Sequence, residues 1–406
     1  MTPMAPVESG QSRRILLVDC DAFFVQVAQL EDPEGAGKMD LLLVGGSQTG
    51  RGVVTSASYG ARRFGVRSAM PTAQALRLCP DATVVGVPRR ACGHKSREIR
   101  SCLERLAPVV QAASIDEFYL DLTGTDRLFG ESLEVTANRI RETVLKETQI
   151  SVSIGGATRR MIAKLASGVA KPGSVHIVPT GQEAEFMKRL DLAEIPGVGP
   201  SLVEALRKRG LVRIEDALGV QKKWLERWFG AHRGRWLYRR MRGLDSSRVD
   251  PREPRKSISS ERTFFQDLKS DEDLERMLLR LCRSVTHTLR KSGLRARTIT
   301  VKLRDGDFKT RSRSRTVVEP LETEGATYRI ARELLAELRI QRRTPARLLG
   351  VGLTNLGLGD DPVQFGLFEE KERLEGHRER TLDHVVDGLR KRFGDDAVLP
   401  GRIIGD

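Results

Sequence analysis

ILLVDCDAFF, at residues 15–24, is the stretch that decides the fold, because an apolar β-forming run leads directly into acidic residues. SIDEFYLD, at residues 114–121, places a second set of acids beside β-forming residues. A charge at the end of a buried strand is costly to desolvate unless a partner neutralises it. Divalent cations with oxygen ligands are suitable partners, and two of them about 3.5–4 Å apart can clamp a phosphoryl transfer. The two stretches therefore predict a shared metal site, the alternative being strand-end acids that face water.

The composition favours a soluble protein of several domains. A chain of 406 residues is long enough for two to four domains, and 39% of it is hydrophobic without a run that could span a bilayer. The five cysteines show no CxxC spacing, which indicates reduced thiols rather than disulfides or a zinc site. Residues 1–12 read as a loose tail without a signal peptide. We expect a cytoplasmic protein, and no feature predicts a membrane partner or an oligomer.

The positive charge is concentrated in one part of the chain. Of the formal net charge of +15, residues 201–350 carry +17, from 37 basic and 20 acidic residues. The acidic stretches lie outside that region. This separation is typical of a polyanion-binding region joined to a metal-dependent catalytic region, although a merely soluble basic protein remains the alternative.

The order of predicted elements in the N-terminal half is β-α-β-β-α-β-like. Apolar runs predict strands, the region 109–123 reads as a hairpin, and two amphipathic patterns predict helices over 131–147 and about 158–170. This order suits a ferredoxin-like sheet with helices on one face, and would bring Asp19 and Asp116 onto neighbouring strands. Because successive strand residues point to opposite faces, Asp116 and Glu117 can share a site only if the strand turns or bulges there. The predicted strands are Ile15–Val18, Leu41–Val44, Val53–Thr55 and Ile150–Ile154.

IPGVGP, at residues 195–200, has the pattern of a helix-hairpin-helix. Gly197 and Gly199 precede a short predicted helix, whose backbone N–H groups could hold a DNA phosphate without reading sequence. The basic residues 207–209 strengthen this interpretation. The alternative is an ordinary tight loop, since the GVG pattern alone does not distinguish the two.

A Pro-rich, charged stretch at residues 250–255 reads as an interdomain linker. Beyond it, strands are predicted at Thr298–Leu303 and Leu348–Leu353, with helices over 272–291 and 326–338. Within the run at residues 309–316, Arg311, Arg313 and Arg315 share one face at strand spacing and could follow a phosphate backbone. The alternative is a charged edge strand that prevents aggregation.

The C-terminal fifty residues differ in character, because QFGLF at residues 364–368 lies between acidic segments. A short apolar motif in such a tail usually docks into a groove on another protein, but could also be a buried fragment. A helix-like stretch, Thr381–Phe393, follows.

Six motifs in this order resemble the Y-family DNA polymerases of the DNA polymerase IV type, over about residues 13–368. They are VDCDAFF (18–24), VVTSASYGARRFGVRSAMP (53–71), SIDEFYLD (114–121), AKLASGVAKPGS (163–174), IPGVGP (195–200) and SISSERTF (257–264).

The resemblance implies roles for particular residues. Asp19, Asp116 and Glu117 correspond to catalytic metal-binding carboxylates, with the backbone carbonyl of Cys20 as a further ligand. Phe24 corresponds to the aromatic gate that excludes a ribose 2′-OH. The remaining sets are the triphosphate-binding residues Tyr59, Arg62 and Lys164, and the sliding-clamp motif residues Gln364, Leu367 and Phe368.

The fold implied is α+β and multidomain: a ferredoxin-like palm with small fingers, a helix-hairpin-helix thumb and an α/β little finger domain. The predicted boundaries are a disordered tail at 1–12, palm at 13–60 and 105–185, fingers at 61–104, thumb at 186–245, linker at 246–256, little finger at 257–355 and a clamp-binding tail at 356–406. The implied activity is low-fidelity DNA synthesis without proofreading, in translesion synthesis and repair. The implied partners are two Mg²⁺ ions (or Mn²⁺), dNTPs, primer–template DNA and a sliding clamp, with the protein as a monomer.

Three positions depart from the family pattern: Ala28 and Gly60 replace frequent glutamates, and Phe118 replaces a small residue. Two other functions stay open. A palm enzyme such as a nucleotide cyclase also uses paired strand acids, but that function does not explain the basic C-terminal half of the chain. A catalytically weak, clamp-tethered DNA adaptor would bind primer–template without extending it.

Overall fold

A computed structural model describes residues 12–126, 130–358, 374–394, 397–398 and 401. The chain forms two compact units, residues 1–253 and 254–406, and the division falls within the predicted linker. None of the helices in the described residues combines the length and hydrophobicity needed to cross a membrane. The Gln364, Leu367 and Phe368 motif lies outside the described residues.

The N-terminal unit is built on a five-stranded sheet whose central strand, β1 (Ile15–Cys20), is buried along its whole length. Consecutive β1 side chains enter two different cores, which explains the unbroken apolar run. The strand order is β5-β6-β1-β7-β8. The other strands are β5 (Val109–Ala112), β6 (Glu117–Asp121), β7 (Val152–Ala157) and β8 (Val175–Ile177).

Helices cover both faces of this sheet, whereas the sequence predicted one. On one face, α4 (Arg89–Leu106) and α5 (Leu133–Thr148) pack with α1 (Phe23–Glu31). On the other, α6 (Arg160–Ala170) shares a core with the helices that follow it in the chain. The difference arises because α6 itself packs on β1 and β7 from the second face, and the face that a helix covers is not revealed by its periodicity.

A separate three-stranded sheet, in the order β3-β2-β4, includes strands from residues 13–60, which the sequence assigned to the palm. β2 (Leu42–Gly45) and β3 (Val54–Ala57) belong to this sheet rather than to the palm sheet, together with β4 (Thr83–Val85). Two short helices, α2 (Tyr59–Arg63) and α3 (Thr72–Leu78), pack against it.

The region predicted as a thumb is entirely helical in its regular structure. Gly197 has a left-handed backbone (φ +94°), and a Cβ there would lie 2.9 Å from the Trp236 ring. The turn requires glycine for both reasons, and the next helix begins at Pro200, as predicted. The helices are α7 (Glu183–Lys188), α8 (Pro200–Arg207), α9 (Ile214–Leu218), α10 (Lys222–Phe229) and α11 (Ala231–Met241).

The C-terminal unit has a four-stranded antiparallel sheet in the order β11-β10-β12-β9, with α12 and α13 sharing its core. A last helix, α14, confirms the predicted helical stretch near 381–393. The bounds are β9 (Ser257–Leu268), α12 (Asp271–Lys291), β10 (Leu294–Asp305), β11 (Thr310–Leu321), α13 (Glu324–Gln341), β12 (Ala346–Leu358) and α14 (His377–Phe393).

Candidate active site

Asp19 and Glu117 lie directly opposite each other on the paired strands β1 and β6. Directly opposed side chains of antiparallel strands lie on the same face, so the two carboxylates are neighbours. Asp19 is 7% exposed, and Glu117 begins its strand. The prediction that the two acidic stretches meet on neighbouring strands is confirmed.

Asp116 does not follow the alternating side-chain directions of a strand, because it lies in a turn that precedes β6. The Ser114 hydroxyl bonds to the Asp116 carboxylate, and accepts from the backbone N–H groups of Asp116 and Glu117 at 3.2 and 3.0 Å. The backbone N–H of Cys20 donates to the Asp116 carbonyl at 2.9 Å, which ties this turn to the end of β1. The expected turn is present, and it brings all three acids to one edge of the sheet.

Two lysines neutralise these carboxylates. Lys164 Nζ donates to both oxygens of Glu117, at 2.7 and 2.6 Å, and Lys171 Nζ donates to Asp19 at 2.6 Å. Burial raises the pKa of Asp19 above its ordinary value, although Lys171 acts in the opposite direction. One lysine therefore does not fully compensate the desolvation of this carboxylate.

Lys164 reaches Glu117 because α6 packs unusually close to β7. A Cβ at Gly155 on β7 would lie 2.1 Å from the backbone oxygen of Ala163 and from the backbone nitrogen of Ser167. Only glycine allows this approach, which places Lys164 beside the palm acids. Lys171 was missed as a site residue, although it lies within the quoted motif AKLASGVAKPGS.

The donor set suits a hard divalent cation. Within the described residues, no three His, Cys, Asp or Glu side chains converge as they stand on a point that could hold a metal. The reason is visible: Lys164 and Lys171 pair with two of the acids, and Asp116 bonds to Ser114. All the candidate ligands are oxygens, the preferred ligands of Mg²⁺, and burial raises the pKa of Asp19, so a nearby cation would favour its charged form. The residues fit a divalent ion, which would compete with the two lysines for these carboxylates.

Tyr59 and Arg62 lie together on α2. The Arg62 guanidinium lies 4.9 Å from the centre of the Tyr59 ring, and its Nε donates to the Ala57 carbonyl at 2.9 Å. The Tyr59 hydroxyl donates to Asp21 at 3.1 Å. Burial, reinforced by Asp21, raises the pKa of this hydroxyl, so it is a hydrogen-bond donor at neutral pH. Asp21 was not predicted as a site residue, although it lies two residues after Asp19.

Phe24 lies in the first turn of α1, half-buried, with its ring 5.5 Å from that of Phe23 in an edge-to-face contact. Ala22 precedes the helix in a left-handed conformation (φ 43°), unusual for a residue with a Cβ. The Cys20 thiol is buried, which raises its pKa, and the metal-binding role of the Cys20 carbonyl stays a prediction.

The three departures from the family pattern are accommodated by packing. Phe118 is 1% exposed and lies in the palm core, on the face of β6 opposite to Glu117, so it does not intrude among the acids. Ala28 is also buried. A Cβ at Gly60 would lie 2.7 Å from the Asp40 carbonyl, so this chain requires glycine there.

The arginines of β11 do not line an open sheet face. Arg315 bonds to Glu333 of α13, Arg313 lies 3.9 Å from Glu337, and the Arg311 side chain, 16% exposed, bonds to buried Asp305. The intervening residues occupy the other face, where Ser314 bonds to Thr300 at 2.9 Å. Spacing correctly placed the arginines on one face, but that face carries the helices; their DNA contacts stay a prediction.

Comparison with known proteins agrees with this architecture. Residues 18–168 match the model of the impB/mucB/samB family, and residues 255–367 match the C-terminal domain of that family. DNA polymerase IV of Caulobacter vibrioides is 37% identical over 95% of this chain and 93% of its own length. The chain belongs to the Y-family DNA polymerases of the DNA polymerase IV type.

Other members of the Y family agree with each part. Residues 193–245 match the model described as the DNA polymerase-iota thumb domain, which confirms the thumb. DNA polymerase IV of Desulfatibacillum aliphaticivorans is 35% identical over 97% of both chains. A solved Y-family polymerase chimera of Dbh and Dpo4 is similar with a TM-score of 0.76, at 26% identity, over 85% of this chain and 99% of its own. The predicted α+β palm, thumb and little finger architecture is confirmed.

Proposed function

We propose that this Y-family polymerase adds dNTPs to a primer 3′-hydroxyl by two-metal phosphoryl transfer, with low fidelity and without proofreading, in translesion synthesis and DNA repair. Family membership establishes the coarser statement that the protein is a DNA-directed DNA polymerase. The observation that carries the mechanism is the position of Asp19, Asp116 and Glu117 at the same edge of the sheet, with two lysines beside them.

The family depends on divalent metal, and we assign Mg²⁺, with Mn²⁺ as a substitute, to these three carboxylates and the Cys20 carbonyl. When bound, the ions would make the primer hydroxyl more acidic and neutralise charge on the departing pyrophosphate. The protein contributes the fixed positions of the acids, since β1, β6 and the Ser114 turn hold their backbones before substrate arrives. Such positioning accounts for much of phosphoryl-transfer catalysis.

Four cationic or donor groups surround the acids and suit a triphosphate. Tyr59 and Arg62 present a hydroxyl and a planar guanidinium from α2, and Lys164 and Lys171 present ammonium groups. If metal takes over the charge of Asp19 and Glu117, both lysines become available to phosphate oxygens. We infer that they alternate between carboxylate and triphosphate.

The decisive experiment is primer extension on undamaged template with dNTPs and Mg²⁺. Asp116→Asn should abolish extension, whereas Asp121→Asn, at the other end of β6, should retain it. Extension by the Asp116 variant would contradict the site assignment. Primer–template binding by the wild type without extension would instead favour the adaptor function, and turnover of nucleoside triphosphate without primer–template would favour a cyclase.

We propose that Phe24 excludes ribonucleotides through a clash with the 2′-OH. Its half-buried ring, held by Phe23, is rigid enough for that role. Phe24→Ala should raise ribonucleotide incorporation relative to dNTP incorporation by at least about tenfold. Unchanged discrimination would contradict it, and Phe24→Tyr, which keeps the ring, is the matched control.

DNA binding is assigned to the Gly197–Gly199 hairpin and to the arginines of β11. Contacts of this kind go mainly to phosphates, so affinity should fall steeply with salt. Arg313 and Arg315 have side chains that are 49% and 40% exposed and can reach beyond their acid partners, in contrast to Arg311. Substituting Arg313 and Arg315 by glutamine should reduce the salt dependence of primer–template binding; no change would remove them from the interface.

We also propose that Gln364, Leu367 and Phe368 dock on a sliding clamp and that the protein acts as a cytoplasmic monomer. Tethering would raise the effective concentration of polymerase at the primer end. Alanine at these three positions should abolish stimulation by the clamp and preserve unstimulated extension. Loss of both activities would indicate a folding role for the segment.

A further inference from the structure

The Asp21 carboxylate bonds to four donors from three separate segments of the chain although it is only 3% exposed. One oxygen accepts from the Tyr59 hydroxyl at 3.1 Å and from the Ser153 hydroxyl at 2.7 Å. The other accepts from the Ser151 hydroxyl at 3.0 Å and from the Gly173 backbone N–H at 2.9 Å. A buried carboxylate is stable when such donors satisfy it, and these four do so.

Two of the four donors are connected to residues assigned to the triphosphate. Tyr59 is itself one of them. Gly173 ends the turn Lys171-Pro172-Gly173, whose lysine bonds to Asp19, and Gly173 has a left-handed backbone (φ +64°). Asp21 thus fixes the Tyr59 hydroxyl and the backbone that carries Lys171 relative to the metal-binding strand.

The backbone around Asp21 is also held in place. The Gln26 side chain donates to the carbonyl groups of Asp21 and Ser151, at 3.0 Å for Ser151, and its oxygen accepts from the Ser151 N–H at 2.8 Å. The Asp21 N–H donates to the Ser151 carbonyl at 3.0 Å. The carboxylate therefore has little freedom, as a positioning group requires.

We propose that Asp21 is a positioning residue for the triphosphate subsite, acting through Tyr59 and the Lys171 turn. It does not touch the reacting atoms. The inference rests on the proposed function of those residues and extends it to a carboxylate that the mechanism does not otherwise use. A purely structural role would give the same hydrogen bonds but would affect stability alone.

Steady-state primer extension with a double-mutant cycle separates the two roles. Asp21→Asn replaces one acceptor oxygen by a donor, and Tyr59→Phe removes one of the bonds from the other side. Each should raise KM for dNTP about tenfold, the scale expected for a hydrogen bond to a charged group, with a smaller effect on kcat. The double variant should show less than the product of the two effects, because both break the same bond.

Thr136→Val is the matched control. Thr136 is fully buried in the palm, and its hydroxyl bonds to Glu131 and Ser132, neither of which bonds to Asp21. This variant should lower the melting temperature and leave KM for dNTP within about twofold of wild type, whereas a shift in KM would show that the assay reports general destabilisation.

A lowered melting temperature for Asp21→Asn with unchanged KM would overturn the proposal, as would fully multiplicative effects in the cycle. If Asp21→Asn does not fold, Ser153→Ala replaces it in the cycle, because Ser153 donates to the same Asp21 oxygen as Tyr59 and has no role of its own in binding; an unchanged KM there overturns the proposal. Wild-type extension is measured first in the same assay. Its absence would contradict the proposed function, whereas wild-type extension with unchanged KM in the variants contradicts only the role of Asp21.

Discussion

The two units of this protein neutralise their buried acids in different ways. In the N-terminal unit, Asp19 bonds to Lys171, whose side chain is 28% exposed. In the C-terminal unit, the Arg290 side chain is 2% exposed and bonds to Asp383 and Asp387 of α14. Lysine supplies a point charge on a flexible stem, whereas arginine supplies a rigid fork. The second arrangement fastens a helix to its domain, whereas the first, under the proposed function, would exchange Lys171 for a metal ion.

The carboxylate pKa values reflect the same contrast. Burial raises the pKa of Asp19 despite Lys171. Burial acts in the same direction on Asp387, but hydrogen bonds from Arg290 and His287 outweigh it and lower the pKa. Burial and neighbouring Asp387 raise the pKa of Asp383. Arg290 therefore compensates Asp387 more fully than Asp383. Burial thus outweighs the neighbouring cation at Asp19 and at Asp383, whereas the hydrogen bonds from Arg290 and His287 outweigh it at Asp387.

Neutralising one acid in each unit should give the largest effects, on catalysis in the N-terminal unit and on stability in the C-terminal unit. Asp19→Asn should reduce extension about a thousandfold or more, because a metal ion contributes several kcal/mol to such a reaction, with little loss of stability. Asp305→Asn should lower the free energy of unfolding by about 3–5 kcal/mol, because Arg311 and Arg342 lose a fully buried partner. Extension kinetics and urea unfolding measure the two effects. Equal losses of stability in both variants would break the contrast.

Exchanging the type of cation should give an intermediate effect. Arg290→Lys should lower the stability of the C-terminal unit by about 1–3 kcal/mol, because one ammonium cannot satisfy two acids and the Glu322 carbonyl together. Arg276→Lys, in an exposed pair with Asp273, is the matched control and should change stability by less than about 0.5 kcal/mol. Equal effects in a urea unfolding series would show that the fork geometry is unimportant.

The pH dependence should be smallest and opposite in sign. The lowered pKa of Asp387 stabilises the fold above the ordinary aspartate value of 3.8, and this contribution is lost as pH falls through the lowered pKa. The raised pKa of Asp19 does the reverse, since its contribution is present below 3.8 and is lost as pH rises through the raised pKa. Unfolding of Asp387→Asn and Asp19→Asn beside wild type, without divalent metal, tests both slopes, the first below about pH 4 and the second above it, over about pH 2 to 6. Slopes of the same sign would refute the contrast.

Local pattern predicted much of the palm, because the apolar runs end where the acids begin. The neighbouring positions of β1 and β6 followed from the ferredoxin-like strand order, and alternation made a turn or bulge at Asp116 the condition for a site shared with Glu117. The Asp21 bonds could not be predicted in this way, since Ser153 and Gly173 lie 132 and 152 residues away in sequence. Contacts across such distances depend on tertiary packing and leave no local period.

The β11 arginines show a second limit. The spacing of two residues predicts that Arg311, Arg313 and Arg315 lie on the same face of a strand. It does not predict which face, because the residues on both faces have the same spacing. Here the acids Glu333 and Glu337 of α13 determine that the arginines meet the helix. In the same way, the sequence pattern of α14 predicts a helix but not that Asp383 and Asp387 pair with Arg290 of α12.

The most direct test of the account is Mn²⁺ binding, measured by electron paramagnetic resonance with dideoxy-terminated primer–template and dNTP. Wild type and Asp121→Asn should bind two ions per molecule at the palm. Asp19→Asn should lose this binding while remaining folded and bound to DNA. The same Mn²⁺ stoichiometry and affinity in Asp19→Asn as in wild type would show that these carboxylates do not form the metal site.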